Sequence, residues 1–161
     1  MKNTTENSSR LSKTEEKINL HFEYLFQRGF IITSREYRPE YMGYWKITLL
    51  SSNYAIEIDY DRGEIGMAIG SIKMDKWIGL ATVVYYVTNG NEFIGLFEGD
   101  LRDEDAQFSR LAKILKIHIE KITEVFQDFK KHESSLLLLV SGKIIDKLII
   151  EKYSNRNKSQ M

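Results

Sequence analysis

Between Tyr44 and Gly70 apolar and polar residues alternate with a period of two, and this most narrows what the chain can fold into. Trp45, Ile47 and Leu49 alternate with Lys46 and Thr48; Ile56, Ile58 and Tyr60 with Ala55, Glu57 and Asp59; Ile65, Met67 and Ile69 with Glu64, Gly66, Ala68 and Gly70. Successive strand residues point to opposite faces, so the pattern predicts strands with one apolar face each. The links are Ser51-Ser52-Asn53 and Asp61-Arg62-Gly63. Links this short admit only antiparallel neighbours. Phe30–Tyr37 adds a first strand, closed by "RPEYMG" with the only proline. The expected fold class is therefore α+β: a four-stranded antiparallel meander with helices on its apolar face. Lys46, Thr48, Glu57, Asp59 and Glu64 are expected on the opposite, wet face.

On either side the period becomes helical. Leu11, Ile18, Phe22 and Leu25 follow helical spacing, Ser12 and Glu15 read as a capping box, and Gly29 as a stop, giving a helix over 13–28. Phe108, Leu111, Leu115, His118, Ile122, Val125 and Phe129 recur at steps of three and four, predicting an amphipathic helix over 105–130 of about seven turns. "KWIGLATVVYYV" (76–87) permits a strand, but Asp75 as a cap and Trp77, Leu80, Ala81, Val84 and Val87 on one side favour a buried helix. A last helix is expected over 134–153, kinked at Ser141-Gly142. The organisation read from this is a flexible start (1–12), one domain (13–153) and a flexible polar tail (154–161).

Composition narrows function by exclusion. Lys plus Arg equal Asp plus Glu at 23 each, which argues against a general nucleic-acid coat or a polybasic membrane binder. There is no cysteine, so disulfides, thiolate metal sites and a cysteine nucleophile are excluded, and a reducing cytoplasm is expected. The start has no apolar signal-peptide core, and the longest apolar run, Leu136–Val140, is far short of the roughly 20 residues a membrane span needs.

Motifs for catalysis fail on spacing. Counted as a calcium loop from Asp59, position 5 is Gly63, position 6 is Glu64 and position 12 is Gly70, so the frame does not fit. Asp61 and Gly63 instead suit a tight hairpin turn, Gly63 supplying positive φ for a bulge-type connection. His21, His118 and His132 have no metal-ligand spacing, and His118 falls on an apolar stripe, as a core histidine would. No nucleophile elbow and no glycine-rich phosphate loop is present. No catalytic residue, cofactor or metal site is expected.

Two surface stretches remain as partner-binding candidates. Tyr37, Arg38, Tyr41, Tyr44, Trp45 and Lys46 mix aromatics with cations, as core and rim packing, a protein interface, or a single-stranded nucleic-acid surface would. Residues 92–105 carry six acids against Arg102 alone. They suit a helix N-terminus, a surface for a basic partner, or hard-metal binding. Tyr41, Tyr44, Glu98, Asp100, Asp103 and Glu104 are the candidate contacts.

The features Gly29-Phe30, Tyr37, Trp45–Leu50, Ser51-Ser52 and Asp61-Arg62-Gly63, with the later Trp77, together resemble a group of small, largely uncharacterised bacterial proteins. That group is regarded as immunity-type or defence-associated. The resemblance covers under half of the chain and implies a stoichiometric binder without catalytic residues. The expected function is a cytoplasmic protein-binding module that occludes a partner such as a toxin or defence subunit, with no membrane partner and nucleic acid disfavoured. The alternatives are a homo-oligomer or assembly subunit docking through 134–153, a metal-dependent hydrolase or nuclease using Asp59, Asp61 or Glu64, and a nucleic-acid binder.

Overall fold

The computed structural model describes residues 3–92 and 103–159. Helices α1 (Asn3–His21) and α2 (Glu23–Gln27) precede five strands: β1 (Ile31–Arg38), β2 (Tyr44–Leu50), β3 (Tyr54–Asp61), β4 (Glu64–Ser71) and β5 (Lys76–Gly79). Helices α3 (Leu80–Val87), α4 (Glu104–Gln127), α5 (Phe129–Ser141) and α6 (Ile144–Ser159) follow. The strands pair antiparallel in chain order. The α+β class and the meander therefore stand, but the sheet has five strands where four were expected.

The fifth strand lies where a buried helix was expected. In "KWIGLATVVYYV" only Leu80–Val87 is helical; Lys76–Gly79 pairs with Ala68–Ser71. Four residues are too few to display a period, and Ile78 alone faces the core. Asp75 sits at φ 47° in the β4–β5 connection, and Gly79 takes the N-cap position that Asp75 was expected to hold.

The helix boundaries moved as well. α1 begins at Asn3, so Ser12 lies inside the helix and caps nothing. Gly29 does stop α2: at φ 88° its N–H bonds Phe26 O at 3.0 Å while the Phe30 N–H bonds Leu25 O at 3.1 Å, a Schellman pair. The expected kink at Ser141-Gly142 is a full break between α5 and α6, with Lys143 at φ 50°. α5 starts earlier than expected, at Phe129, and α6 runs through Ser159, into the stretch read as a polar tail.

The core lies between the helices and one sheet face. Trp45, Ile47, Leu49, Ile56, Ile58 and Ile69 turn inward, onto Ile18 and Phe22 of the N-terminal segment and Phe108, Leu115 and Ile122 of α4. Phe108 is the hub. Its ring stacks on Trp45 (centroids 6.0 Å apart) and His21 (5.7 Å) and meets Phe22 edge-on at 6.2 Å. The Trp45 indole Nε1 has no hydrogen-bond partner among the described residues, so ring contacts hold this side chain. We expect Phe108→Ala to lower unfolding stability in urea by about 3–5 kcal/mol, because neighbours on two helices and the sheet cannot all collapse into the space. Leu138→Ser, at a position 70% exposed, is expected to stay within about 0.5 kcal/mol of the parent.

Candidate functional site

Among the described residues the helices cover one face of the sheet and leave the other open. Its outer positions follow from register: Glu36, Lys46 and Asp59 lie abreast opposite Gly66, and Thr48 and Glu57 opposite Ala68. The β4 positions are small for a steric reason. A Cβ at Gly66 would come within 2.6 Å of Asp59 Oδ1, and one at Gly70 within 2.7 Å of the Trp77 ring. Asp59 and Trp77 therefore lie flat over β4.

At one end of this face two connections enclose a groove of about 630 Å³. After β1, Pro39–Tyr41 forms one 3₁₀ turn, and Met42 (φ 55°) and Gly43 (φ 76°) reverse the chain into β2. The reversal leaves Tyr41 59% and Met42 74% exposed. The Arg38 guanidinium lies 5.8 Å from the Tyr41 ring centroid, within cation–π range. Tyr44, half-buried, and Lys46 floor the groove, and Asp61 and Arg62 of the β3–β4 turn form the other wall.

That turn is the Asp61-Arg62-Gly63 corner. Asp61 pairs directly with Glu64, leaving a two-residue loop with Arg62 at φ 52° and Gly63 at φ 95°. It is a primed hairpin turn rather than the bulged one expected from sequence. It is also tethered. Buried Gln107 of α4 donates from Nε2 to Gly63 O and accepts at Oε1 from the Ile65 N–H, each at 2.8 Å. Sequence reasoning missed Gln107, although its spacing from Leu111 and His118 put a polar residue on the buried stripe.

Charge on the open face is linked but unequal. Glu36 pairs with Arg38 and, at 3.6 Å, with Lys46, which also lies 3.6 Å from Glu57. Burial lowers the Lys46 pKa, but Glu57, Tyr44 and Glu36 outweigh it and the net shift is upward. Asp59 is pushed above the ordinary carboxylate range, first by burial, then by the Glu57 and Asp61 charges, with Lys46 a partial offset. Burial also raises the Tyr44 phenol.

Of the six candidate contacts, the structure brings Tyr41 and Tyr44 together in the groove. Asp103 is the N-cap of α4, accepting from the Ala106 N–H at 3.1 Å. Glu104 turns to the helix layer, where it pairs with Arg10 at 2.5 Å and Lys17 at 3.5 Å. Glu98 and Asp100 lie outside the described residues. His118 is buried, as its place on the stripe suggested, but its Nε2 also bonds Glu92 at 2.7 Å. The Tyr86 hydroxyl meets His132 Nδ1 at 2.7 Å.

Among the described residues no cluster of three or more His, Asp or Glu side chains is placed to hold a metal, and no helix is long and apolar enough to cross a membrane. No protein-family model, curated protein or solved structure matches the chain. The groove presents ring faces and a thioether among guanidinium, ammonium and carboxylate groups.

Two measurements test this geometry. Gln107→Ala leaves the buried Ile65 N–H without its acceptor, and we expect a loss of about 1–3 kcal/mol in urea unfolding. For Asp59, the folded pKa lies above the unfolded one, so between those values the folded chain holds more protons and stability rises as pH falls. Asp59→Asn should therefore raise the thermal midpoint at neutral pH, and the gain should shrink as acid protonates Asp59 in the parent.

Proposed function

We propose that the protein is a cytoplasmic binding module that docks another protein through the groove between the β1–β2 connection and the β3–β4 turn. Its action is stoichiometric occlusion, of the immunity or antitoxin kind. The observation that carries this reading is the pair Tyr41 and Met42, held exposed on a tight turn beside Arg38 and Tyr44. Aromatic residues, Met and Arg are enriched where proteins bind one another, and Tyr and Arg often carry most of the affinity. The turn is short and Gln107 anchors the facing wall, so little order remains to be imposed on binding, which favours affinity.

A second reading is self-association through 134–153. The exposure of Leu138 and Ile150 (65%) on α5 and α6 favours it. Light scattering on the purified protein separates the two, since a monomer at micromolar concentration removes the second.

The first reading is tested by affinity capture from the native cell with the tagged parent and with Tyr41→Ala combined with Met42→Ser. The parent should retain one protein in stoichiometric amount, and the double variant should bind it at least about tenfold more weakly while melting at the parent's temperature. Equal retention by both would remove the groove from the interface.

A further inference from the structure

We propose that the docking surface extends from the groove along the open sheet face, and that the partner meets it with a lysine- and arginine-rich protein surface. This inference rests on the binding-module reading above and adds the partner's chemistry.

The charge of the face is the first ground. Its outer positions hold Glu36, Glu57, Asp59, Asp61 and Glu64 against Arg38 and Lys46, and the groove connections add Glu40 and Arg62. All three cations are already engaged: Arg38 with Glu36, Lys46 with Glu36 and Glu57, and Arg62 with Asp61 at 3.4 Å. Among the described residues no cation lies within ion-pair distance of Asp59 or Glu64. The next lysines, Lys73 and Lys76, belong to the β4–β5 hairpin at the far end, so the acidic surplus runs from the groove to Glu57 in the middle of β3.

Shape is the second ground. The Asp59 carboxylate lies over Gly66, so the shallow floor of β4 is at Ala68, with Glu57 opposite it on β3. Trp77, 42% exposed, lies across Gly70 at its end. Long basic side chains can lie on such a floor with their heads at carboxylates and their stems on apolar surface, and an aromatic face accepts a cation. The same surplus repels a phosphate backbone, which sets a protein partner above nucleic acid.

The probes are fluorescein-labelled peptides of alternating Lys/Arg and Ser, their Glu/Asp counterparts, and a labelled single-stranded oligonucleotide, followed by anisotropy at physiological salt. The parent should bind the basic peptide at least about tenfold more tightly than the acidic one. Glu57→Gln with Asp59→Asn should weaken that binding at least about fivefold, whereas Glu124→Gln with Glu151→Gln, an equal charge change on exposed helix positions, should not. Equal loss in both double variants, or equal binding of the acidic peptide or the oligonucleotide, overturns the proposal. Glu57→Gln alone repeats the test without touching the half-buried Asp59. In the capture experiment, a partner lost by the Tyr41/Met42 variant but kept by Glu57→Gln with Asp59→Asn would overturn the basic-partner inference and leave the groove reading standing.

Discussion

The seating of α4 on the sheet is the contact from which the other features follow. Phe108 enters between Trp45, His21 and Phe22, and Gln107 beside it bonds the backbone at Gly63 and Ile65. One residue supplies apolar area and the next supplies direction. The apolar contact alone would tolerate sliding, since burial is non-directional. The two amide bonds remove that freedom and hold α4 against the β3–β4 corner. Around the same joint Glu104 reaches Arg10 and Lys17, so α1 is tied to the start of α4.

This joint decides which face of the sheet is open. A slip of one residue would exchange Trp45, Ile47 and Leu49 for Tyr44, Lys46 and Thr48, so the register is strongly specified. The open face is then free to be polar, and its acids need not balance locally. Asp59 has a raised pKa, first from burial and then from the Glu57 and Asp61 charges beside it. The sheet edge at β1 is guarded by other means: Arg35, Glu36 and Arg38 charge it, and a break in register between Ile32 and Ser34 interrupts its ladder.

Much of this was legible in the chain. Strict alternation placed β2, β3 and β4 and sorted Lys46, Glu57 and Asp59 to the outer face, because a strand's period of two leaves no other assignment. The stripe that starts at Phe108 placed α4, although Phe129, read as its last member, opens α5; Gly29 placed the end of the N-terminal helical segment, which was read as one helix and is two. Asp61-Arg62-Gly63 read correctly as a hairpin corner, although the turn is primed and not bulged. β5 was not legible, because four residues carry no period and its pairing depends on the β4 edge. The cap at Ser12 failed for a different reason: a capping pattern is local, and the helix extended through it.

By itself the sequence determined the faces. Local alternation and helical spacing are properties of neighbouring residues, so they say which side of each element is apolar before any packing occurs. The tertiary structure alone decided what those faces meet. It took Asp103 and Glu104 into a cap and internal ion pairs, joined Tyr41 and Tyr44 to Asp61 and Arg62 across a groove, and made Gln107 the tie between helix and turn. Apart from the local cap at Asp103, those contacts join residues far apart in the chain. Their energies depend on distances that only the packed chain creates.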